Sequence, residues 1–265
     1  MQTRVIQNAC KIISDLYNPN ISSATLATKV HKLVYDTLGD PDPYRALKQR
    51  SNNVAQRLLP KVEQLLTNSE NPLKTGMLCS IIGNILDFGI EGASTTPESL
   101  MQSFDHFVQE GLGYDDYPKL EKLIKKARHI MLFTDNCGEI VFDRLLCREL
   151  KKFNPHIVLT LVVKGEPIIS DATLEDIKDL LFEEVVDNIY TTGCFAIGLD
   201  FSKLPQDVEK QLNQADLILC KGMANYEAFS EKSYHPVAYL LRTKCHAIAH
   251  SLGLPLNINA IKVFE

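Results

Sequence analysis

The stretch His129-Ile-Met-Leu-Phe-Thr-Asp-Asn-Cys-Gly-Glu-Ile-Val-Phe-Asp143 decides the fold, because one hydrophobic pattern ends in it and another begins. Residues 129–134 form a largely apolar, β-prone run, which is typical of a buried strand. Asp135, Asn136 and a glycine interrupt the run, and the apolar residues that follow have helical spacing. Residues that follow a strand in an α/β sheet lie at its carboxyl edge, where ligands bind. We therefore expect the chemistry of this protein near Asp135 and Asn136.

The second half of the chain repeats this alternation of strand and helix. Further candidate strands are residues 157–163, 188–191, 217–220, 236–241 and 260–263. Because these runs are almost continuously hydrophobic, helices are expected to cover both faces of the sheet. The pattern predicts a three-layer α/β/α, Rossmann-like sandwich with a mostly parallel or mixed sheet over residues 126–265.

Residues 1–125 have a helical pattern instead. Apolar residues recur three and four apart, as in segments 26–38 and 54–66, and proline or glycine interrupts them. These breaks predict about five or six helices, one of which begins near Pro97. No repeat or low-complexity linker separates the two parts, so we expect the helical region to pack on the sheet within one integrated unit.

Composition excludes several classes of protein. With 265 residues, 45% of them hydrophobic, the chain can bury a large core, and its net charge of −5 argues against binding nucleic acid. The sequence has neither a membrane-spanning apolar segment nor a signal peptide, so we expect a cytoplasmic protein without a membrane partner. Its seven cysteines are scattered and lack a CxxC pair, which predicts free, mostly buried thiols.

Polar turns follow three further predicted strands. They are Lys164-Gly165, the turn that ends at Gly193, and Lys221-Gly222. The carboxyl ends of parallel strands meet at one edge of a sheet, so these turns are expected to lie near Asp135. An exposed lysine is the commoner interpretation of Lys164 and Lys221, and the alternative is that their charges bind phosphate.

Asp171 is the second candidate acidic ligand. It precedes Thr173 and Asp176, which have the spacing of a helix capping box, so Asp171 is either an ordinary turn residue or faces Asp135. Two aspartates with the carbonyl oxygen of Asn136 would suit Mg²⁺ or Mn²⁺ and tolerate Co²⁺ or Ni²⁺. Such an ion can leave positions open for water and for phosphate oxygens.

Further polar residues have two interpretations each. Asn225 either caps the helix after Lys221 or faces a ligand, and Glu227 is either a first-turn acid or a ligand contact. Glu139 and Asp143, four apart, share one helix face. We expect Glu139 to lie near the metal and Asp143 to pair with a basic neighbour.

In the helical region, Asn84 and Asp87 are polar within a strongly apolar segment and share a helix face. Either a structural hydrogen-bond network or a substrate pocket would give them partners, and both interpretations stay open. Residues 42–48 are expected to form a solvated loop and helix start, with contact to a ligand as the alternative.

Four ordered motifs resemble the damage-control phosphatase family, formerly domain of unknown function 89. They are residues 135–143, 164–173, 192–193 and 221–227. Residues 82–88 are also similar to the amino-terminal region of its archaeal and bacterial branch, so the resemblance spans nearly the whole chain. It implies a helical region joined to an α/β/α sandwich, and a metal-dependent phosphatase that acts on small phosphorylated metabolites such as sugar phosphates.

The resemblance also implies roles for individual residues. Asp135, Asn136 and Asp171 would bind a divalent metal as cofactor, with Co²⁺, Ni²⁺, Mn²⁺ or Mg²⁺ as candidates. Lys221 would contact the phosphate and act in catalysis with Asp135 and Asp171. The candidate substrate-binding residues are Asn84, Asp87, Lys164, Gly193, Lys221, Asn225 and Glu227.

The chain departs from the family at two places, and two other functions fit parts of it. Ser170 stands where the family usually has asparagine. The family's microbial branch usually has an amino-terminal CxxC pair, whereas this sequence has only Cys10 in that area, so either the pair is absent or the given start is late. A non-catalytic protein that binds phosphorylated metabolites would use the same pocket. The βαβ pattern alone would suit a Rossmann-like methyltransferase, but no predicted strand is followed by GxGxxG or a P-loop.

Overall fold

A computed structural model describes residues 2–18, 21–84 and 97–265. The amino-terminal part is helical. Its helices are α1 (Gln2–Leu16), α2 (Ser23–Leu38), α3 (Arg45–Thr67), α4 (Pro72–Gly83), α5 (Pro97–Glu110) and α6 (Tyr117–Lys126). Local signals set some of these limits: the Ser22 side chain caps the start of α2, and Asn71 caps α4, which has proline in its first turn.

The carboxyl-terminal part alternates strand and helix, as the sequence predicts. Its strands are β1 (Tyr114–Asp115), β2 (His129–Phe133), β3 (Val158–Val163), β4 (Asn188–Thr191), β5 (Leu217–Lys221), β6 (Val237–Arg242) and β7 (Asn259–Phe264). Its helices are α7 (Glu139–Phe153), α8 (Leu174–Ile177), α9 (Gln206–Gln214), α10 (Gly222–Ser230) and α11 (His246–Leu252).

The seven described strands form one sheet in the order β1-β7-β6-β5-β2-β3-β4. Neighbouring strands are parallel except for β6 and β7, which are antiparallel. The chain proceeds from β2 outward to β3 and β4 and then returns to β5 on the opposite side of β2. Such a reversal opens a crevice between the carboxyl ends of the two central strands, where α/β proteins bind ligands. Here those ends are Asp135 and Lys221.

Helices cover both faces of the sheet, and the predicted α/β class is confirmed. Along β2, Ile130 and Leu132 point into one hydrophobic cluster, whereas Met131 and Phe133 point into another on the opposite face. The first cluster continues into α3 and α4 of the helical region. The structure therefore has one core shared by the two parts of the chain.

Several expectations can be compared with the described residues. All six predicted strands match to within one residue at each end. All seven cysteines are free thiols and five are buried, as expected. None of the helices within residues 2–18, 21–84 and 97–265 combines the length and hydrophobicity of a membrane-spanning segment. Asp87 lies outside the described residues.

Candidate active site at the carboxyl edge of the sheet

Asp135 lies at the end of β2, directly against the start of α10. Gly222 begins α10 with a φ of 72°, and a β-carbon on it would lie 1.8 Å from Asp135 Oδ2. A glycine is needed there because any side chain would displace the carboxylate. Asp135 Oδ2 accepts hydrogen bonds from the side-chain amides of Asn84, at 2.6 Å, and Asn136, at 2.9 Å. The carboxylate is therefore held in one orientation.

The loop after β3 folds back onto the loop after β2. Asn136 and Asp171 are paired in an isolated antiparallel bridge. The Ala172 amide donates to the Asp135 carbonyl at 2.8 Å, and Ser170 Oγ donates to Asn136 Oδ1 at 2.6 Å. Ser170 thus orients the Asn136 amide with a shorter side chain than the family's usual asparagine. The structure brings Asp135, Asn136 and Asp171 together, while their role as metal ligands stays a prediction.

Lys164 lies behind Asp171 and is only 2% exposed, so the expectation of an exposed lysine is wrong. Its ammonium donates to the Gly198 carbonyl and lies 3.3 Å from Asp171 Oδ2. The physical reason for burial is this ion pair, since a buried ammonium needs a compensating charge or hydrogen bonds. Substrate contact by Lys164 stays a prediction.

Lys221 is also buried, at 0% exposure, which again corrects the expectation of a solvated lysine. Its ammonium donates to Glu139 Oε1 at 2.5 Å, Asp143 Oδ1 at 2.9 Å and the Ser80 carbonyl at 3.3 Å. These acceptors match the three donors of an ammonium group. The expected pairing of Asp143 with a basic neighbour is confirmed. Phosphate contact by Lys221 stays a prediction and requires the ammonium to exchange a partner.

Glu139, Asp143 and Lys221 form an ion cluster, and burial shifts the pKa values within it. Burial raises the pKa of Glu139 to about 7, although the Lys221 charge and the Asn84 amide oppose the rise. Burial alone would lower the pKa of Lys221, but Asp143 and Glu139 outweigh it and hold that pKa above its ordinary value. Asp143 Oδ2 is buried and has no hydrogen-bond partner within the described part of the chain. Two acids therefore share one cation in a site without water access.

Asn225 connects the ends of the two central strands. Because α10 begins at Gly222, Asn225 is inside the helix, and the interpretation as its cap is wrong. Its amide donates to the carbonyls of Thr134, at 2.9 Å, and Lys221, at 2.8 Å. Asn225 thus fixes β2 relative to β5. A direct contact with substrate stays a prediction.

Gly193 and Glu227 lie further from the ion cluster. Gly193 is exposed, and its backbone passes so close to Gly165 that a β-carbon there would lie 2.6 Å from the Gly193 amide nitrogen. Glu227 is in the second turn of α10 rather than the first, and its Oε1 accepts a hydrogen bond from Ser23 at 3.3 Å. Burial raises the pKa of Glu227.

A cavity of about 1070 Å³ lies beside the carboxyl edge, between α2, α10 and residues 194–203. Glu166, Phe195 and Glu227 are among its lining residues, whereas none of Asp135, Asn136, Asp171 and Lys221 lines it. Gly198, which accepts the hydrogen bond from Lys164, lies between two lining residues. The cavity is therefore a neighbour of the charged cluster, and it has acids and lysines of its own, such as Glu166 and Lys32.

The donor set at the carboxyl edge fits a hard divalent cation. Two carboxylates and one amide oxygen are typical ligands of such ions. Asp135, Glu139, Asp143 and Asp171, set against Lys164 and Lys221, leave an excess of negative charge when all are ionised, and a cation would offset it. Among residues 2–18, 21–84 and 97–265 no three His, Cys, Asp or Glu side chains form a metal-binding group. The candidate ligand set consists of two aspartates and the Asn136 amide, so only two of its three members are of these residue types.

Sequence analysis missed a second set of buried polar residues. Asp42 and Lys48 are buried, the latter at 1% exposure, so the expected solvated loop is wrong, whereas the expected helix start is confirmed because α3 begins at Arg45. Lys48 lies 2.9 Å from Asp42 Oδ2 and 2.8 Å from Asp176 Oδ2, and this buried ion pair is the reason. Lys48 and Asn52 continue the buried face of α3 at a spacing of four, which is the pattern that would have revealed them.

A doubly wound sheet with acids and amides gathered at its switch point defines this molecule as an α/β protein with its candidate active site at the carboxyl edge. The model of the damage-control phosphatase ARMT1-like domain matches residues 1–257. The chain belongs to the damage-control phosphatase family, and the resemblance seen in the sequence motifs is confirmed. Membership of this family supports a phosphatase function.

Individual relatives agree with this assignment. The chain is 38% identical over 263 residues to a damage-control phosphatase of Archaeoglobus fulgidus, which covers 99% of this chain and 90% of the relative. It is 34% identical to an uncharacterized protein of Methanocaldococcus jannaschii, over 98% of this chain and 86% of that protein. The crystal structure of a DUF89 family protein from Pyrococcus horikoshii matches with a TM-score of 0.88 and 27% identity, covering 99% of this chain and 90% of that one.

Proposed function

We propose that the chain is a divalent-metal-dependent phosphatase that hydrolyses phosphomonoesters of small metabolites, such as sugar phosphates. One observation carries the proposal: the loops after β2 and β3 pair through Asn136 and Asp171, beside Asp135, in a chain of a phosphatase family. Two carboxylates and an amide in adjacent loops, with a buried lysine behind one of them, suit a metal and a phosphate together.

Asp135, Asn136 and Asp171 would hold the ion. A bound divalent cation supplies Lewis-acid stabilisation of phosphoryl oxygens and lowers the pKa of water. The protein's own contribution is orientation, because Asn84 and Asn136 hold the Asp135 carboxylate through amide hydrogen bonds. Preorganised ligands avoid the free-energy cost of ordering them during the reaction.

The two buried lysines supply fixed positive charge at the same edge. Lys164 is 3.3 Å from Asp171 Oδ2, so it orients this acid and offsets part of its charge. Lys221 is fixed by Glu139 and Asp143, and its charge moderates two acids that would otherwise repel an anionic substrate. Together the two lysines make the site more favourable for binding a phosphate ester than a site that contains acids alone would be.

The organic part of the substrate is proposed to extend into the cavity lined by Glu227. The cavity offers hydroxyls of Ser23 and Thr25, the Glu227 carboxylate and the ring of Phe195. Such a mixture suits a hydroxylated molecule with one apolar face. The proposed partner is thus a small phosphorylated metabolite.

Metal-free protein incubated with a panel of sugar and nucleotide phosphates, with and without Co²⁺, Ni²⁺, Mn²⁺ and Mg²⁺, tests the proposal. Metal-dependent release of phosphate is the expected result. Asp135→Ala should abolish both turnover and metal binding, whereas Asp36→Ala, which removes an exposed acid of α2, should leave both unchanged. Metal-dependent release by Asp135→Ala would refute the mechanism, and metal binding without release on the whole panel would favour a non-catalytic binding protein.

A further inference from the structure

The first half of α3 directs polar side chains towards the candidate active site. Buried residues of α3 recur three and four apart, and in its later turns they are apolar, as at Leu58 and Val62. In its first turns the same face carries Lys48, Ser51 and Asn52. Burying polar groups costs free energy unless they are hydrogen-bonded, so their partners indicate what they contribute.

The side chain of Asn52 joins two separate loops of the site. Its Oδ1 accepts a hydrogen bond from the Gly138 amide at 2.7 Å, in the loop that also carries Asp135. Its Nδ2 donates to the Asp176 carbonyl at 3.0 Å, in the short helix that follows Asp171. These two segments come from the ends of β2 and β3. One amide therefore spans the two segments that supply the candidate metal ligands.

Lys48 strengthens the connection to the Asp171 segment. Its ammonium bonds to Asp176 Oδ2 at 2.8 Å. The same oxygen accepts from the backbone amide of Thr173, at 2.9 Å, and from the Thr173 hydroxyl, at 2.6 Å, which is the capping box that the sequence predicts for α8. Hydrogen bonds between charged groups are stronger than neutral ones. The start of α8 therefore cannot shift against α3 without breaking a buried ion pair.

We propose that Asn52 is a positioning residue, which together with Lys48 sets the separation of Asp135 and Asp171 and thereby the affinity of the site for a divalent cation. The inference rests on the proposed function, since it takes these two acids as metal ligands. Residues that orient metal ligands typically change metal affinity by about 10- to 100-fold when they are removed. Asn52→Ala is expected to weaken Mn²⁺ binding by at least about 10-fold.

Titration calorimetry with Mn²⁺ on the metal-free full chain measures this affinity without turnover. The matched control is Glu63→Gln, about 16 Å further along α3 at 1.5 Å per residue. Glu63 accepts two hydrogen bonds from Arg148 of α7, at 2.6 and 2.7 Å. Each variant removes hydrogen bonds from one side chain of α3, but only the Asn52 contacts reach the loops of the site. Glu63→Gln is therefore expected to bind Mn²⁺ like the wild type.

A second measurement separates positioning from general destabilisation. If Asn52 acts through the metal ligands, saturating Mn²⁺ should restore most of the phosphate release of Asn52→Ala in protein that circular dichroism shows to be folded before the metal is added, since metal binding by itself can also rescue a destabilised fold. Wild-type Mn²⁺ affinity in folded Asn52→Ala would overturn the inference. An equal loss of affinity in Glu63→Gln would also overturn it.

A second variant tests the same inference if Asn52→Ala does not fold. Asn52→Asp keeps the acceptor for Gly138 and loses the donor to the Asp176 carbonyl, and the same titration then applies with a smaller expected loss of affinity. The proposed function and the positioning role of Asn52 are contradicted by different results. Wild-type protein that binds Mn²⁺ but releases no phosphate contradicts catalysis, whereas unchanged Mn²⁺ affinity in the Asn52 variants contradicts positioning.

Discussion

Gly222 lies against the carboxylate of Asp135 so closely that a β-carbon on Gly222 would be 1.8 Å from Asp135 Oδ2. The two residues follow β5 and β2, the neighbouring strands between which the chain reverses its direction across the sheet. The contact therefore lies where the carboxyl ends of the two central strands meet. It also makes Asp135 sensitive to a single methyl group at the start of α10.

Gly222→Ala is expected to reduce phosphate release by about 100-fold or more, because misplacing a reacting group by about 1 Å can cost that much. The control is Gly253→Ala. Gly253 has a similar φ of 67°, but a β-carbon there meets nothing within 4 Å. Both variants carry backbone strain of about 1–2 kcal/mol, and only Gly222→Ala displaces Asp135. Equal activity of the two variants in a phosphate-release assay would contradict the prediction.

Lys221→Met is expected to lower the free energy of unfolding by about 3–5 kcal/mol, because it leaves Glu139 and Asp143 buried without a cation. Urea denaturation at two pH values measures the effect. The loss should be smaller in acid, where the Glu139 carboxyl group, whose pKa is raised by burial, can bind a proton. Lys119→Met removes the ion pair between an exposed lysine and Asp116 and should lower the free energy of unfolding far less. A comparable loss for both lysines would show that burial of the ion cluster does not increase its contribution to the free energy of unfolding.

Glu139 makes stability depend on pH in a defined direction. Its pKa is raised from 4.5 to about 7, so the folded protein keeps a proton that the unfolded chain has already lost. This contribution to stability is fully present below the unfolded pKa and disappears as the pH rises through about 7. Glu139→Gln cannot titrate, so the free energy of unfolding of the metal-free variant should fall less than that of the wild type across this range. Glu183→Gln, at an exposed position, should retain the wild-type slope in the same denaturation series.

Glu227→Gln is expected to raise KM for the best panel substrate and to change kcat little, because Glu227 lines the cavity and not the charged cluster. Steady-state phosphate release gives both constants. Glu209→Gln makes the same charge change at an exposed position of α9 that does not line the cavity, and it should leave KM unchanged. A fall in kcat with constant KM would place Glu227 in the chemical step instead.

The strands and their polar ends were predictable because the signals are local. The run that becomes β2 is apolar on both faces and is interrupted at once by Asp135 and Asn136, so strand, edge and candidate ligands follow from one stretch. The same holds for β5 and Lys221. Periodicity and chain order are sufficient where a residue's position depends on its neighbours in sequence.

The partners of the buried lysines Lys221 and Lys48 were not predictable, because they are far away in sequence. Lys221 is 82 residues from Glu139, and Lys48 is 128 residues from Asp176. A lysine after a strand or in a first helical turn carries no local sign of such a partner. Strand β1 was missed for a related reason: Tyr114 and Asp115 are two residues, too few to show a period, and they are defined by pairing with β7.

Strand β7 has a consequence for how the chain is made. It lies within the sheet, between β6 and β1, and Tyr114 pairs with Ala260. During synthesis the edge of β6 therefore stays open until residues 259–264 have emerged, and an open strand edge is a template for pairing with other chains. We expect nascent chains that end at Ile258 to sediment as aggregates in a cell-free translation, and chains that continue through Phe264 to stay in the supernatant. The risk of aggregation through this edge is therefore confined to the interval between the synthesis of β6 and that of β7.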